Sequence, residues 1–370
     1  MRRLFLTTII ASMAITMGLY AQETAQTELE VSVKLIKEER IEENEIILPN
    51  GEKRILYASR KEYNSVLGPR RGEGFTKGWY SKNGKYVGFA DFVGSDTKFT
   101  LLNADKQIIW QKEIDKQVIC AYISNSGEIT ILYVGWFDES VYDRVEIRNS
   151  KGELLAEVTV IEKGTWAAFS KTEESFGLFA GNYFKLFSNE GELIWDLSTE
   201  QQNFVVSDDG NYAAFFSPYS QPSSIEGITF VRRGEVVKHH PISLSPYGGA
   251  NGYVSPTDDY VLLTDRGTSY LFDFKSGDLS WQKTIGNCRW AKWLGDLCLM
   301  VIDSSNTRIL KLLNTQGNIL FEKYLDEISQ EDSRNFKYWA NFLEIGEDSE
   351  ELFLILPPKL YILDIQKERG

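Results

Sequence analysis

Three observations in the sequence predict an all-β fold, a β-propeller of about seven four-stranded antiparallel blades. A two-part unit recurs about every 42 residues, the length of one blade. Each part places a tight-turn signature between short apolar runs. No segment carries a sustained helical pattern, 325–333 being the one weak candidate.

The first part is an apolar or aromatic pair, then Ser-x-x-Gly or Ser-x-x-Asp, then an apolar run. It reads Trp79-Tyr80-Ser81-Lys82-Asn83-Gly84, Tyr122-Ile123-Ser124-Asn125-Ser126-Gly127 and Val205-Val206-Ser207-Asp208-Asp209-Gly210. Tyr253-Val254-Ser255-Pro256-Thr257-Asp258 is a further copy, and Ala168-Phe169-Ser170 runs on to Glu173 in place of Gly or Asp. Degenerate copies stand at 292–296 and 342–347. Gly supplies a positive φ at a short hairpin turn, and Asp supplies a local side-chain bond. The Val, Ile, Phe and Tyr runs between such turns read as strands.

The second part is apolar alternation, Asn or Asp, a Gly turn and another apolar strand. Its turns fall at Gly152, Gly191, Gly234, Gly277 and Gly317, and at Lys106, where the Gly is missing. Two hairpins per period give four strands. One such sheet cannot bury both faces alone, whereas sheets stacked around an axis bury them against each other.

The last unit offers strands near 338–344, 351–356 and 359–365 and no fourth. Residues 48–57 look like the end of a second part without its beginning. The N-terminal segment is therefore expected to complete the last blade, closing the ring and removing an open edge. The alternation Leu29, Val31, Val33, Leu35 either extends that blade or covers its edge. The expected organisation is a signal peptide over 1–21, an N-terminal strand or extension over 22–47, and one propeller domain over 48–370.

The repeats resemble the broad WD40-like and quinoprotein-like propeller families, across roughly residues 50–365. Asp273-x-x-x-Gly277-x-x-x-Trp281 resembles the tryptophan motif of quinoprotein-type blades, and Gly191-x-x-x-Trp195 keeps part of it. The Gly-His and Trp-Asp pairs of WD40 blades do not recur, and most copies lack the quinoprotein Trp. The resemblance implies the fold and brings no cofactor ligands with it. The motif tryptophans read as inter-blade packing.

Met1-Arg2-Arg3 precedes an apolar run to Ala21, which reads as a secretory signal, with an uncleaved anchor as the alternative. Thr7, Thr8, Ser12 and Thr16 dilute that run and argue against a permanent span. The expected location is periplasmic or extracellular, with no transmembrane span in the mature chain and a monomeric state. No Cys follows the apolar run, so no lipid anchor is expected. A net charge of −13 disfavours nucleic acid and anionic membrane surfaces. Cys120 and Cys298 lie in apolar runs, so buried free thiols are expected, with a Cys288–Cys298 bridge as the alternative.

Strand direction alternates within a blade, so the motif turns all fall on one face. The longer connections at 91–98, 135–143, 217–227, 239–252 and 323–337 fall on the other, the expected working face. Trp136, Phe137, Tyr142, Tyr219 and Tyr247 are candidate partner-binding aromatics there. Asp138, Glu139 and Asp143 add acid that reads as solvated, with a cation site as the alternative. A basic cluster, Arg60, Lys61, Arg70, Arg71 and Lys77, is either a site for an acidic partner or a solvated linker. Arg70 and Arg71 join the aromatics as candidate binding residues.

No catalytic constellation stands out. His239 and His240 are adjacent and point oppositely in a strand, so no metal site and no cofactor are expected. No G-x-S-x-G elbow or phosphate-binding Gly loop is present. The first reading is an exported, non-enzymatic propeller that binds a protein or glycan through its variable face. The alternatives are an envelope lyase, hydrolase or quinone-dependent dehydrogenase with an unidentified channel site, and an assembly scaffold resembling propeller components of outer-membrane machinery.

Overall fold

The computed structural model describes residues 29–369 apart from 41–44, 48–50, 56–75, 94–95, 137–140, 161–165, 202, 218–225, 246–249, 304–307, 325–340, 344–350 and 357–358. The described chain is all-β, and its strands form seven four-stranded antiparallel sheets and one two-stranded hairpin. Blade 1 is Thr76–Tyr80, Tyr86–Val93, Asp96–Asn103 and Ile108–Ile114. Blade 2 is Gln117–Ile123, Thr130–Trp136, Val141–Arg148 and Leu154–Thr159. Blade 3 is Ala167–Phe169, Ser175–Ala180, Tyr183–Ser188 and Leu193–Ser198. Blade 4 is Asn203–Val206, Tyr212–Ser217, Gly227–Arg232 and Glu235–His240. Blade 5 is Asn251–Val254, Tyr260–Asp265, Thr268–Asp273 and Leu279–Thr284. Blade 6 is Asn287–Leu294, Leu297–Asp303, Arg308–Leu313 and Ile319–Tyr324.

Blade 7 joins the two ends of the chain. Asn341–Leu343, Glu351–Leu356 and Lys359–Arg369 are three of its strands, and Leu29–Arg40 is the fourth. The register runs antiparallel from Leu29 opposite Arg369 to Arg40 opposite Lys359. The N-terminal segment thus completes the last blade, as the missing fourth strand requires. The segment expected to be the tail of a second part behaves differently. Glu45–Ile47 and Lys53–Ile55 form their own hairpin. Ile55 donates its N–H to the Gly84 carbonyl at 2.7 Å and is buried with Val87, Phe89 and Leu102 of blade 1. Gly84 has φ +70°, and a Cβ there would stand 2.6 Å from the Ile55 oxygen, so glycine is required at this junction.

Middle strands are apolar on both faces because each face meets a neighbouring blade. Ser175–Ala180 is buried throughout, whereas outer strands such as Leu154–Thr159 are mostly exposed. The core is accordingly a series of layers between blades. Phe99, Leu101, Leu132 and Val134 fill the space between blades 1 and 2. Tyr133, Val145, Phe176 and Leu178 fill the next layer. Phe184, Phe204 and Phe215 fill the layer between blades 3 and 4, Phe184 lying edge-on to Phe204 and Phe215 at 4.7 and 4.8 Å. Phe216, Phe230 and Phe272 join blades 4 and 5, and Leu271, Met300 and Ile302 join blades 5 and 6. Each such side chain contributes about 1.5–3 kcal/mol of burial.

The motif tryptophans pack between blades, as the sequence suggests. The Trp195 indole N–H donates to the Gly210 carbonyl of blade 4 at 2.8 Å. The Trp281 indole N–H donates to the Thr315 carbonyl of blade 6 at 2.9 Å. Cys120, Cys288 and Cys298 are all free thiols, which excludes the bridge.

Candidate functional site

The first strands of blades 1 and 2, and those of blades 3, 4, 5 and 6 in turn, lie against one another and so converge on the axis. The turn after each first strand therefore sits near the axis on one face, and this face is laced together. In each full repeat the motif serine is buried and accepts a backbone N–H from five residues on: Tyr86 to Ser81, Ile129 to Ser124, Ser175 to Ser170, Tyr212 to Ser207, Tyr260 to Ser255. A second set of bonds runs from blade to blade. Asn83 N–H donates to Asn125 Oδ1 at 2.8 Å. Asn125 N–H and Ser126 N–H both donate to the Glu173 carboxylate. Thr172 N–H donates to Asp208 Oδ1, and Asp208 N–H donates to Asp258 Oδ2, each at 2.7 Å.

This lacing sets the electrostatics of the short-turn face. Burial, with Asp208 and Asp209 adding repulsion, pushes the Asp258 carboxyl up to about 6. Burial also opposes ionisation of Asp209, but hydrogen bonds from Ser207 and Asn211 outweigh it and hold its carboxyl below the ordinary range. Blades 1 to 5 contribute the same small turn here, and Asn125, Glu173, Asp208 and Asp258 spend their side chains on neighbouring backbone.

The opposite face does not repeat. The connection between second and third strands is a tight turn at Gly181-Asn182 in blade 3 and at Arg266-Gly267 in blade 5, but spans 218–226 in blade 4. The Asp265 carboxylate accepts the Ser245 N–H at 2.7 Å, tying the blade 4–5 connection to the blade 5 turn, and burial raises its carboxyl. Gln201 Nε2 donates to the Gly227 carbonyl at 2.9 Å. Asp115 and Asp143 are engaged by Arg144 and Lys116.

The structure corrects several sequence expectations. Trp136 ends a strand and Tyr142 lies within the next, so both are strand residues rather than loop residues. Asp91–Val93 and Asp96–Lys98 pair as strand, so 91–98 is no long loop. Polar residues at the exposed end of a hairpin keep their ladder bonds, which a composition reading takes for a loop. Lys77 belongs to the first strand of blade 1, not to a linker. Asp143 pairs with Lys116 and is not simply solvated. Phe137, Tyr219, Tyr247, Arg60, Lys61, Arg70, Arg71, Asp138, Glu139 and the segment 325–333 lie outside the described residues.

His239 and His240 turn to different partners, Thr229 Oγ1 and the Gly277 carbonyl. Among the described residues no group of three or more His, Cys, Asp or Glu side chains is arranged to hold a metal.

One residue of this face escaped the sequence reading. Trp166 immediately precedes the first strand of blade 3 and is 46 % exposed. Its carbonyl accepts the Tyr133 hydroxyl at 3.1 Å and the Phe179 N–H at 2.9 Å, and its ring meets Tyr122 edge-on at 6.4 Å. The backbone is pinned while much of the indole stays open to solvent. No motif surrounds it, but counting back four residues from each repeat serine aligns it with Lys77, Asn203 and Asn251.

The fold, with its two unlike faces, is that of a β-propeller. No protein-family model matches the chain, and no curated protein matches it in sequence. Among solved structures it is similar to BamB from Moraxella catarrhalis, at TM-score 0.53 and 12 % identity, covering 90 % of this chain and 100 % of that one. Hsv2 from Kluyvelomyces marxianus follows at TM-score 0.49 and 12 % identity, covering 79 % and 96 %. The Dos1 propeller gives TM-score 0.48 and 12 % identity, covering 88 % and 81 %. At these identities the likeness is one of fold.

Proposed function

We propose that the chain is an exported, non-enzymatic propeller that docks a protein partner in the cell envelope or outside the cell through its non-repeating face. The observation that carries this is the inequality of the faces. One is built from repeated small turns whose polar groups are used to join blades. The other varies from blade to blade, and variable connections on a rigid scaffold are where recognition is built. Trp136, Phe137, Tyr142, Tyr219 and Tyr247 are the proposed partner contacts, with Arg70 and Arg71 as accessory cations. The basic run with its apolar continuation over 1–21 supports export. Among the described residues no helix is long and apolar enough to cross a membrane.

The test is cross-linking in cells of a tagged chain, followed by purification, against Trp136→Ala/Tyr219→Ala/Tyr247→Ala. A specific protein recovered with the native chain and lost from the folded variant is the expected result. Recovery of the same protein with both chains contradicts the assignment.

A further inference from the structure

The chain is strongly acidic, yet its axis is not. The first strands of the seven blades contain Lys77, Arg289 and Lys292 and no Asp or Glu. Toward the non-repeating face, the positions four residues before the repeat serines hold Lys77, Cys120, Trp166, Asn203 and Asn251. All five are at least partly exposed, although four stand on the innermost strands and Trp166 immediately precedes one. Burial pushes the Cys120 thiol up, so this ring of positions carries no negative charge at neutral pH. Lys77 is placed by a 2.6 Å bond to the Ile119 carbonyl and stands 5.4 Å from the Trp79 ring. That carbonyl belongs to a β-bulge in the first strand of blade 2, and blade 6 has a matching bulge at Arg289. Bulges on inner strands re-aim side chains at binding sites.

We propose that this axial ring, at the mouth of the non-repeating face, binds an acidic sugar of the uronic acid type. Each residue class meets one feature of such a ligand. An ammonium pairs with the carboxylate. Carboxamides both donate to and accept from hydroxyls. An exposed indole offers an apolar surface to the sugar ring. The first strands add no carboxylate of their own to repel such a ligand. The inference rests on the non-repeating face being the working face, and it adds a small-ligand site at the centre of that face.

The experiment is calorimetric titration of the full chain with a galacturonic acid trimer and with a galactose trimer. The acidic trimer should bind, weaken with added salt, and bind at least about tenfold better than the neutral one. Lys77→Gln and Asn203→Ala should each weaken it about tenfold, Trp166→Ala should do likewise, and Lys77→Arg should retain it. Thermal unfolding of every variant confirms that it is folded. Equal binding of the two trimers, no binding of the acidic one, or full binding by folded Lys77→Gln and Trp166→Ala overturns the site. Protein capture by the native chain while its own titration with the acidic trimer is silent rejects the sugar site alone. Loss of capture in the aromatic variant with titration intact supports both.

Discussion

Each repeat serine is buried because its hydroxyl closes its own turn, so the commonest motif residue is structural. Ser207 accepts the Tyr212 N–H at 2.9 Å and donates to Asp209. Ser207→Ala leaves a buried N–H without its acceptor and should cost about 1–3 kcal/mol in urea unfolding, with partner capture unchanged. Asp258 makes a pH prediction. Its carboxyl is raised in the folded chain, from an ordinary 3.8 to about 6, so folding favours the proton-bound form. Its contribution to stability is therefore present below the unfolded value near 3.8 and is lost as pH rises through about 6. Asp258→Asn stays neutral and still accepts the Asp208 N–H. Its urea midpoint should match that of the native chain near pH 4 and exceed it at pH 7; a parallel pH profile contradicts the assignment.

At the scale of the element, the turn between third and fourth strands recurs with a register shift beside it in each of blades 1 to 6. The extra residue bends the outer strand and blunts its edge against pairing with other chains, which matters because Leu154, Leu193, Val236 and Ile319 are exposed there. Lys106 occupies the position that Gly fills elsewhere, with φ 64°. Lys106→Gly should relieve the left-handed strain and raise stability by about 0.5–1 kcal/mol, read as a higher midpoint. Glu146 is buried in blade 2 between Arg144 and Arg148. Glu146→Leu removes the carboxylate bonded to the partly buried Arg148 guanidinium, while Arg144 keeps Asp115, and should cost about 3 kcal/mol. The repeat turns and motif tryptophans were legible because each needs one residue type at one place: a positive φ, a hydroxyl reaching five residues on, an indole against the next blade. Trp166 was not, because an exposed tryptophan before a short strand leaves no periodic signal.

At the scale of the molecule, the ends of the chain meet in one sheet, and Val33 lies opposite Ile365. A Val33→Cys/Ile365→Cys pair falls within reach of a disulfide and should form one in the folded chain, raising the melting temperature over its reduced form. The missing fourth strand of the last unit made this pairing of the N-terminal segment with the last blade readable from sequence. What was not readable is that residues 45–55 form a separate hairpin on blade 1, because a Gly turn between short strands looks the same in either setting. The unequal faces are likewise a property of the whole wheel. Repetition confines one face to inter-blade bonding, and the proposed function assigns recognition to the other.

That division is tested most directly by site-specific photo-cross-linking in cells, with the reactive residue placed at Tyr219, in the segment that joins the second and third strands of blade 4, or at Lys151 on the short-turn face. Adducts to a discrete partner from position 219 and none from position 151 are the expected result. Adducts from position 151 alone would place recognition on the laced face and contradict the account.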